Sequence, residues 1–202
     1  LGNAPYEGGN LILNKSEIES MKFSKENQNK WLKPLWGSTE IIKGNHRWCI
    51  WIENDELDNA IKNEFIHSKV KKVKSWRLAS KDAGTRSMAN RSHQFREMHY
   101  GETNTIGIPI RSSEARPYLP VDLYGKDCRM TNLAYAIYDG PIYNLSIIAS
   151  QIHLVWIAAV CGQLETRFSY SNKIGWDTFP IPTLTEKNKS DLTACAKEIL
   201  IT

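Results

Sequence analysis

Two short polar stretches hold the side chains best suited to chemistry on a nucleic acid. Arg111-Ser-Ser-Glu-Ala-Arg116 sets two guanidiniums, two hydroxyls and a carboxylate in one run, and Lys126-Asp-Cys-Arg-Met-Thr-Asn132 repeats the mixture. An Arg can donate two parallel hydrogen bonds to guanine O6 and N7, a carboxylate can accept from cytosine N4, and hydroxyls suit phosphate oxygens. Arg111, Glu114, Arg116, Asp127 and Arg129 are therefore candidate base readers, with Ser112 and Ser113 as candidate phosphate contacts. The same residues also make an ordinary surface turn in which Glu114 pairs with Arg111 or Arg116, and composition does not separate the two readings.

A second source of contacts is a concentration of charge. From His67 to Arg96 there are nine Lys or Arg against Asp82 alone, a local +8 that leaves −4 on the rest of a chain whose formal net charge is +4. Such a local field attracts a polyanion even when the whole protein is nearly neutral. Cations near a helix C-terminus have a simpler explanation in the helix dipole, but the run continues past Ala83-Gly84, where that explanation ends. Lys74, Arg77, Lys81, Arg86 and Arg91 are candidate phosphate contacts, joined by Tyr170, Ser171 and Lys173 further along. Tyr100, Tyr170 and Trp176 could stack on bases; aromatics at this frequency also serve as core.

Catalytic patterns are missing. There is no Gly-x-Gly cradle, Gly-Lys-Ser/Thr loop, His-x-x-x-His, Gly-x-Ser-x-Gly or Asn/Asp-Pro-Pro-Tyr/Phe, which removes support for nucleotide hydrolysis, zinc proteolysis, serine hydrolysis and base methylation by these residues. The five His do not pair at ligand spacing, and the four Cys stand far apart without Cys-x-x-Cys, so neither a metal site nor a disulfide framework is expected. Glu40 with Lys43, and Glu53 with Asp55, are the carboxylates on offer to a nuclease, and surfaces supply such pairs by chance.

The elements that position these residues follow from pattern. Ser16-x-x-Glu19 reads as a capping box opening a helix to about Trp31. Glu40–Lys43 and Arg47–Ile52 flank Gly44-Asn45-His46 as a hairpin would. Apolar positions from Leu57 to Trp76 recur at helical spacing, predicting an amphipathic helix over about 55–80. Short strands are expected at 106–110, 118–121 and 133–137, with Pro109, Pro117 and Pro120 confined to edges or ends. A core helix is expected over about 142–164, and a further helix after the extended Phe179-Pro-Ile-Pro182. The resulting fold class is α+β: short, mostly antiparallel strands packed with several helices, then a C-terminal helix.

At 202 residues, 41% hydrophobic and 24% charged, the chain can bury a sizeable core and is not disordered. The apolar stretch from Leu145 to Cys161 is interrupted by Gln151 and His153, so a buried helix rather than a membrane span is expected. The start at Leu1-Gly-Asn-Ala-Pro, without a targeting pattern, reads as an excerpt of something longer.

Tyr170-Ser-Asn-Lys-Ile-Gly-Trp-Asp-Thr-Phe-Pro-Ile-Pro-Thr-Leu184 resembles the segment that closes the target-recognition domain in large single-chain bacterial DNA adenine-N6 methyltransferases of the MmeI-like, type II restriction-modification kind. Gly2-Asn-Ala-Pro-Tyr-Glu-Gly-Gly-Asn-Leu11, Arg47-Trp-Cys-Ile-Trp51, His93-Gln-Phe-Arg-Glu97, Ser112-Ser-Glu114 and His153-Leu-Val-Trp-Ile-Ala-Ala-Val-Cys-Gly162 agree in order, so the resemblance spans the chain. Gln163 and Ser169, where related sequences often carry Arg, and Ala115, where a basic residue is frequent, depart from it.

The resemblance implies a reader of double-stranded DNA at 1–182 and the start of a C-terminal helical segment at 183–202. It implies no cofactor in this chain. S-adenosylmethionine and the adenine to be methylated would belong to a methyltransferase domain of the same polypeptide. It also implies a bacterial cytoplasmic protein, on the nucleoid when bound, with no membrane partner. Two other readings of the residues remain: a protein-interaction module docking through the basic helix, and an RNA-binding domain.

Overall fold

The computed structural model describes residues 1–20 and 30–201. Along the chain, β1 (Ile12–Leu13) leads to α1 (Lys15–Ser20), β2 (Leu32–Trp36), α2 (Ser38–Lys43) and β3 (Arg47–Ile50). Then come α3 (Leu57–Ala60), α4 (Glu64–Leu78) and α5 (Ala83–Ser87). The strands β4 (Asn104–Pro109), β5 (Arg111–Ser112), β6 (Asp122–Gly125), β7 (Arg129–Met130) and β8 (Ala134–Tyr138) follow. The chain closes with α6 (Tyr143–Ala149), α7 (Gln151–Val160), β9 (Gln163–Leu164), β10 (Arg167–Ser169) and α8 (Glu186–Ile199). This is the α+β arrangement expected.

Among the described residues three small sheets organise it. The first has strand order β1-β3-β2-β7, antiparallel except for the parallel pair β2 and β7. The second, β5-β10-β9, and the third, β6-β4-β8, are antiparallel throughout. The first sheet packs with α4 around Leu11, Leu35, Ile50, Ile66, Val73 and Phe95. The third packs with α6, α7 and α8 around Ile106, Ile108, Leu145, Ile148, Ile157 and Ala196. Ile41, Tyr124, Met130 and Ala134 form a third core cluster.

Local chemistry moved several boundaries. The capping box of α1 belongs to Asn14 and Glu17, not Ser16 and Glu19: Asn14 Oδ1 accepts from the Glu17 N–H at 2.9 Å while Glu17 Oε2 accepts from the Asn14 N–H at 3.0 Å. Residues 21–29 of the expected helix lie outside the described residues. Glu40 to Lys43 is not a strand. The Glu40 carboxylate accepts from the Gly37 N–H at 2.9 Å and pairs with Arg47 at 2.9 Å, which fixes the first turn of a helix that Gly44 ends at φ +68°, the left-handed conformation glycine adopts freely. Arg47–Ile50 is a strand as expected, paired on both sides.

The helix expected over 55–80 breaks at Asn63, whose side chain accepts from the N–H groups of Phe65 and Ile66 and so starts α4 afresh. The one expected over 142–164 breaks at Ser150, where ψ of 150° leaves the helix and the side-chain oxygen accepts from the His153 N–H. The two pieces, α6 and α7, diverge by 59°. The strand expected at 118–121 forms instead at Asp122–Gly125, beyond the last of the prolines that deny it ladder donors. The final helix is capped by Thr185, which accepts from the Asn188 N–H, and packs on α6 with Ala196 fully buried.

Candidate nucleic-acid interface

The loop from Arg111 to Arg116 starts on β5, and the second sheet gives it a neighbour. Across β5 and β10, Ser112 faces Phe168 and Arg111 faces Ser169, while Arg167 on β10 faces Leu164 on β9. Side chains alternate between faces along a strand, and opposed residues share one. Ser112 and Phe168 are accordingly buried, and Arg111, Arg167 and Ser169 lie together on the outward face. Arg167 is held by Glu165 at 2.6 Å, at a turn where Glu165 has φ +58°. The loop meets this hairpin at Glu114. Its own backbone N–H and the Thr166 hydroxyl hold the Glu114 carboxyl below its ordinary range, with Arg167 adding to the effect.

The sheet thus sets two exposed guanidiniums, Arg111 and Arg167, near two exposed carboxylates, Glu114 and Glu165, and Arg116 is exposed in the loop that follows β5. Arg167 and Glu165 are additions to the residues expected from sequence. They were hidden because the apolar run before them predicts helix as far as Leu164, when the helix in fact stops at Cys161. The alternation in Arg167-Phe168-Ser169, one buried residue between two outward ones, is the signal that marks the strand.

The second polar stretch is arranged differently. Asp127 is exposed and pairs with Lys33 at 3.0 Å, which lowers its carboxyl pKa. Arg129 is buried. Its guanidinium lies 4.1 Å from the ring centroid of Tyr100 and 4.6 Å from that of Trp51, and Nη1 donates to the carbonyls of Lys126 and Cys128. Its face lies against two rings and Nη1 is bonded to its own turn, while Nε is buried without a hydrogen-bond partner among the described residues. Buried at 5% exposure, Arg129 is placed to brace the turn that presents Lys126 and Asp127 rather than on the exposed surface with them. Tyr100, offered as a stacking platform, has Arg129 on its face.

The basic run divides in the same way. Arg77 is fully buried and donates to the carbonyls of Tyr6, Met88, Arg91 and Gln94 at 2.6–2.9 Å. Burial pulls its pKa down to about 10, with Arg91 contributing, and it stays charged at neutral pH. It cannot reach a phosphate; it staples the N-terminal segment and the turns after α5 to α4. Arg91 is half-buried and donates to the Phe95 and Arg96 carbonyls. Arg86 is exposed and donates through Nη1 to the Ser80 and Lys81 carbonyls, closing the end of α4. Lys74 and Lys81 are exposed and have no ion-pair partner among the described residues.

Among the remaining candidates, Lys173 is exposed in the turn Asn172–Trp176, and Ser171 and Ser113 are half-buried. Ser112 and Tyr170 are 3% exposed and cannot serve as phosphate contacts. Ser112 faces inward by strand alternation, and the Tyr170 hydroxyl lies 3.2 Å from His153 Nε2 inside the second core. Burial holds the His153 imidazole down to about 4, so it is neutral at physiological pH. Trp176 packs on His153 rather than standing free. Among the described residues no group of three His, Cys, Asp or Glu is placed to hold a metal ion.

Comparison with known proteins extends the geometry. A family model described as "MmeI, target recognition domain" matches residues 1–183. The chain is 35% identical over 199 residues to DNA methyltransferase A of Bacillus subtilis (strain 168), an alignment covering 98% of this chain and 23% of that protein. Among solved structures, the type IIL restriction-modification enzyme MmeI in complex with DNA superposes with a TM-score of 0.88 at 26% identity, covering 98% of this chain and 26% of that one. The chain therefore spans about a quarter of the length of the relatives it matches.

Proposed function

The chain belongs to the MmeI target recognition domain family, and we propose that it reads the base sequence of double-stranded DNA for an adenine-N6 methyltransferase that continues beyond these residues. The observation that carries the reading is the outward face of the second sheet. Arg111 and Arg167 stand on neighbouring strands with Glu114 and Glu165 alongside. Paired guanidiniums and carboxylates on adjacent strands of a small antiparallel sheet can reach base edges in a major groove and discriminate guanine from cytosine.

Lys74, Lys81, Arg86 and Lys173 would set the register of the duplex through phosphates, which gives affinity without sequence information. The methyl donor, S-adenosylmethionine, and the target adenine are assigned to the rest of the polypeptide; this chain orients the duplex for it. Its working place would be the bacterial cytoplasm, on the nucleoid when bound.

Sequencing methylated adenines in cells that make the full-length protein, and in cells that do not, tests the reading directly. A single methylated motif that vanishes without the protein is the expected result. Arg111→Ala and Arg167→Ala should each relax the motif at one position, with a loss of about 1–3 kcal/mol in discrimination. An unchanged motif in both variants would sink the assignment of the second sheet as the reader.

A further inference from the structure

One face of α7 is used neither by the core nor by the proposed DNA contacts. Ile152 and Val155 are 74% and 69% exposed, more than any other large apolar side chain among the described residues except the near-terminal Ile201. Ala159 continues the stripe at helical spacing and is also exposed. From Gln151 to Val160 the helix contains no Asp, Glu, Lys or Arg, and its one titratable side chain, His153, faces the buried side. The exposed faces of α4 and α8 differ, carrying Lys71, Lys72 and Lys74, and Lys187 and Asp191. A surface helix normally turns polar residues outward, and a neutral apolar stripe offers nothing to phosphates. Exposed apolar patches of this kind mark contacts with protein, membrane or ligand.

We propose that the Ile152–Val155–Ala159 face of α7 is the seat of the remainder of the longer polypeptide, covered by an apolar surface of that remainder. The proposal rests on the reading of the chain as the recognition part of a methyltransferase. What commits the occupant is length: the matched relatives extend over roughly four times this chain, which covers 23% and 26% of them. Connectivity gives the contact a purpose. Only Cys161 and Gly162 separate α7 from the hairpin β9–β10, so an element clamped on α7 fixes the angle at which Arg167 meets DNA.

Photo-crosslinking in the full-length protein tests it, with p-benzoylphenylalanine in place of Val155. The expected product is an adduct of monomer mass joining position 155 to a peptide outside residues 1–202. Adding Ile152→Lys should lower its yield on the order of tenfold, because the seat then opposes a charge to apolar surface. A covalent dimer, a lipid adduct, an adduct confined to residues 1–202, no adduct, or a yield unmoved by Ile152→Lys would each overturn the proposal. The methylated-motif experiment needs no illumination and reads Arg111 and Arg167, so failure of the DNA-reading assignment shows there and failure of the seat shows here.

Discussion

Arg77 and Lys81 stand four residues apart and do unrelated work. The Arg77 guanidinium satisfies four buried carbonyls, so Arg77→Met strips their partners and should destabilise the protein by about 3 kcal/mol. A urea titration should show the fall in midpoint. Lys81→Ala should leave that midpoint within about 0.5 kcal/mol, while the log–log salt dependence of duplex binding becomes shallower by about 1. The distinction was available in the sequence. Ile66, Val73 and Arg77 fall on one face at a helical period, and all three are buried; the count of charges obscured what the spacing had already placed. Arg129 carried no comparable signal, because the rings that enclose it come from Trp51 and Tyr100, distant in sequence. Its conservative variant, Arg129→Lys, should lose the planar stacking and cost about 1–2 kcal/mol of stability, yet leave the methylated motif unchanged.

Elements were legible where local pattern decided them and not where a single side chain interrupted a long pattern. The periods that predict α4, α8 and β3 arise from which face meets a core, and those elements stand. Asn63 and Ser150 each sit inside an otherwise convincing apolar run, and each bonds a backbone N–H two or three residues on. That local bond competes with continuation of the helix. Ser150→Ala should therefore cost about 1 kcal/mol through the lost cap, measurable by thermal or urea unfolding. The end of α7 at Val160 matters too: a helix continuing through Leu164 would remove β9 and leave β10 paired with β5 alone. The resemblance to a known family supplied what propensity could not, since it pointed to the target-recognition family without resolving this hairpin.

For the molecule as a whole, pH bears on stability through the second core. His153 sits neutral among Tyr170, Trp176 and Phe179 with its pKa down at about 4, against about 6.5 in an unfolded chain. The unfolded state binds the proton first, so stability is full above about 6.5 and falls as pH drops toward 4. Urea midpoints between pH 7 and 4.5 should decline, and His153→Gln should flatten that part of the decline. The Glu114 carboxyl is held below its ordinary range by its own backbone N–H and the Thr166 hydroxyl, so its titration lies on the acid side of an ordinary carboxyl's.

The alternation on β10 has a consequence for descent. Phe168 secures the hairpin from within, whereas Arg167 points outward and supports no core. Replacing the outward residue costs the fold little, so a lineage can change the side chains this surface offers while the scaffold that presents them is inherited intact.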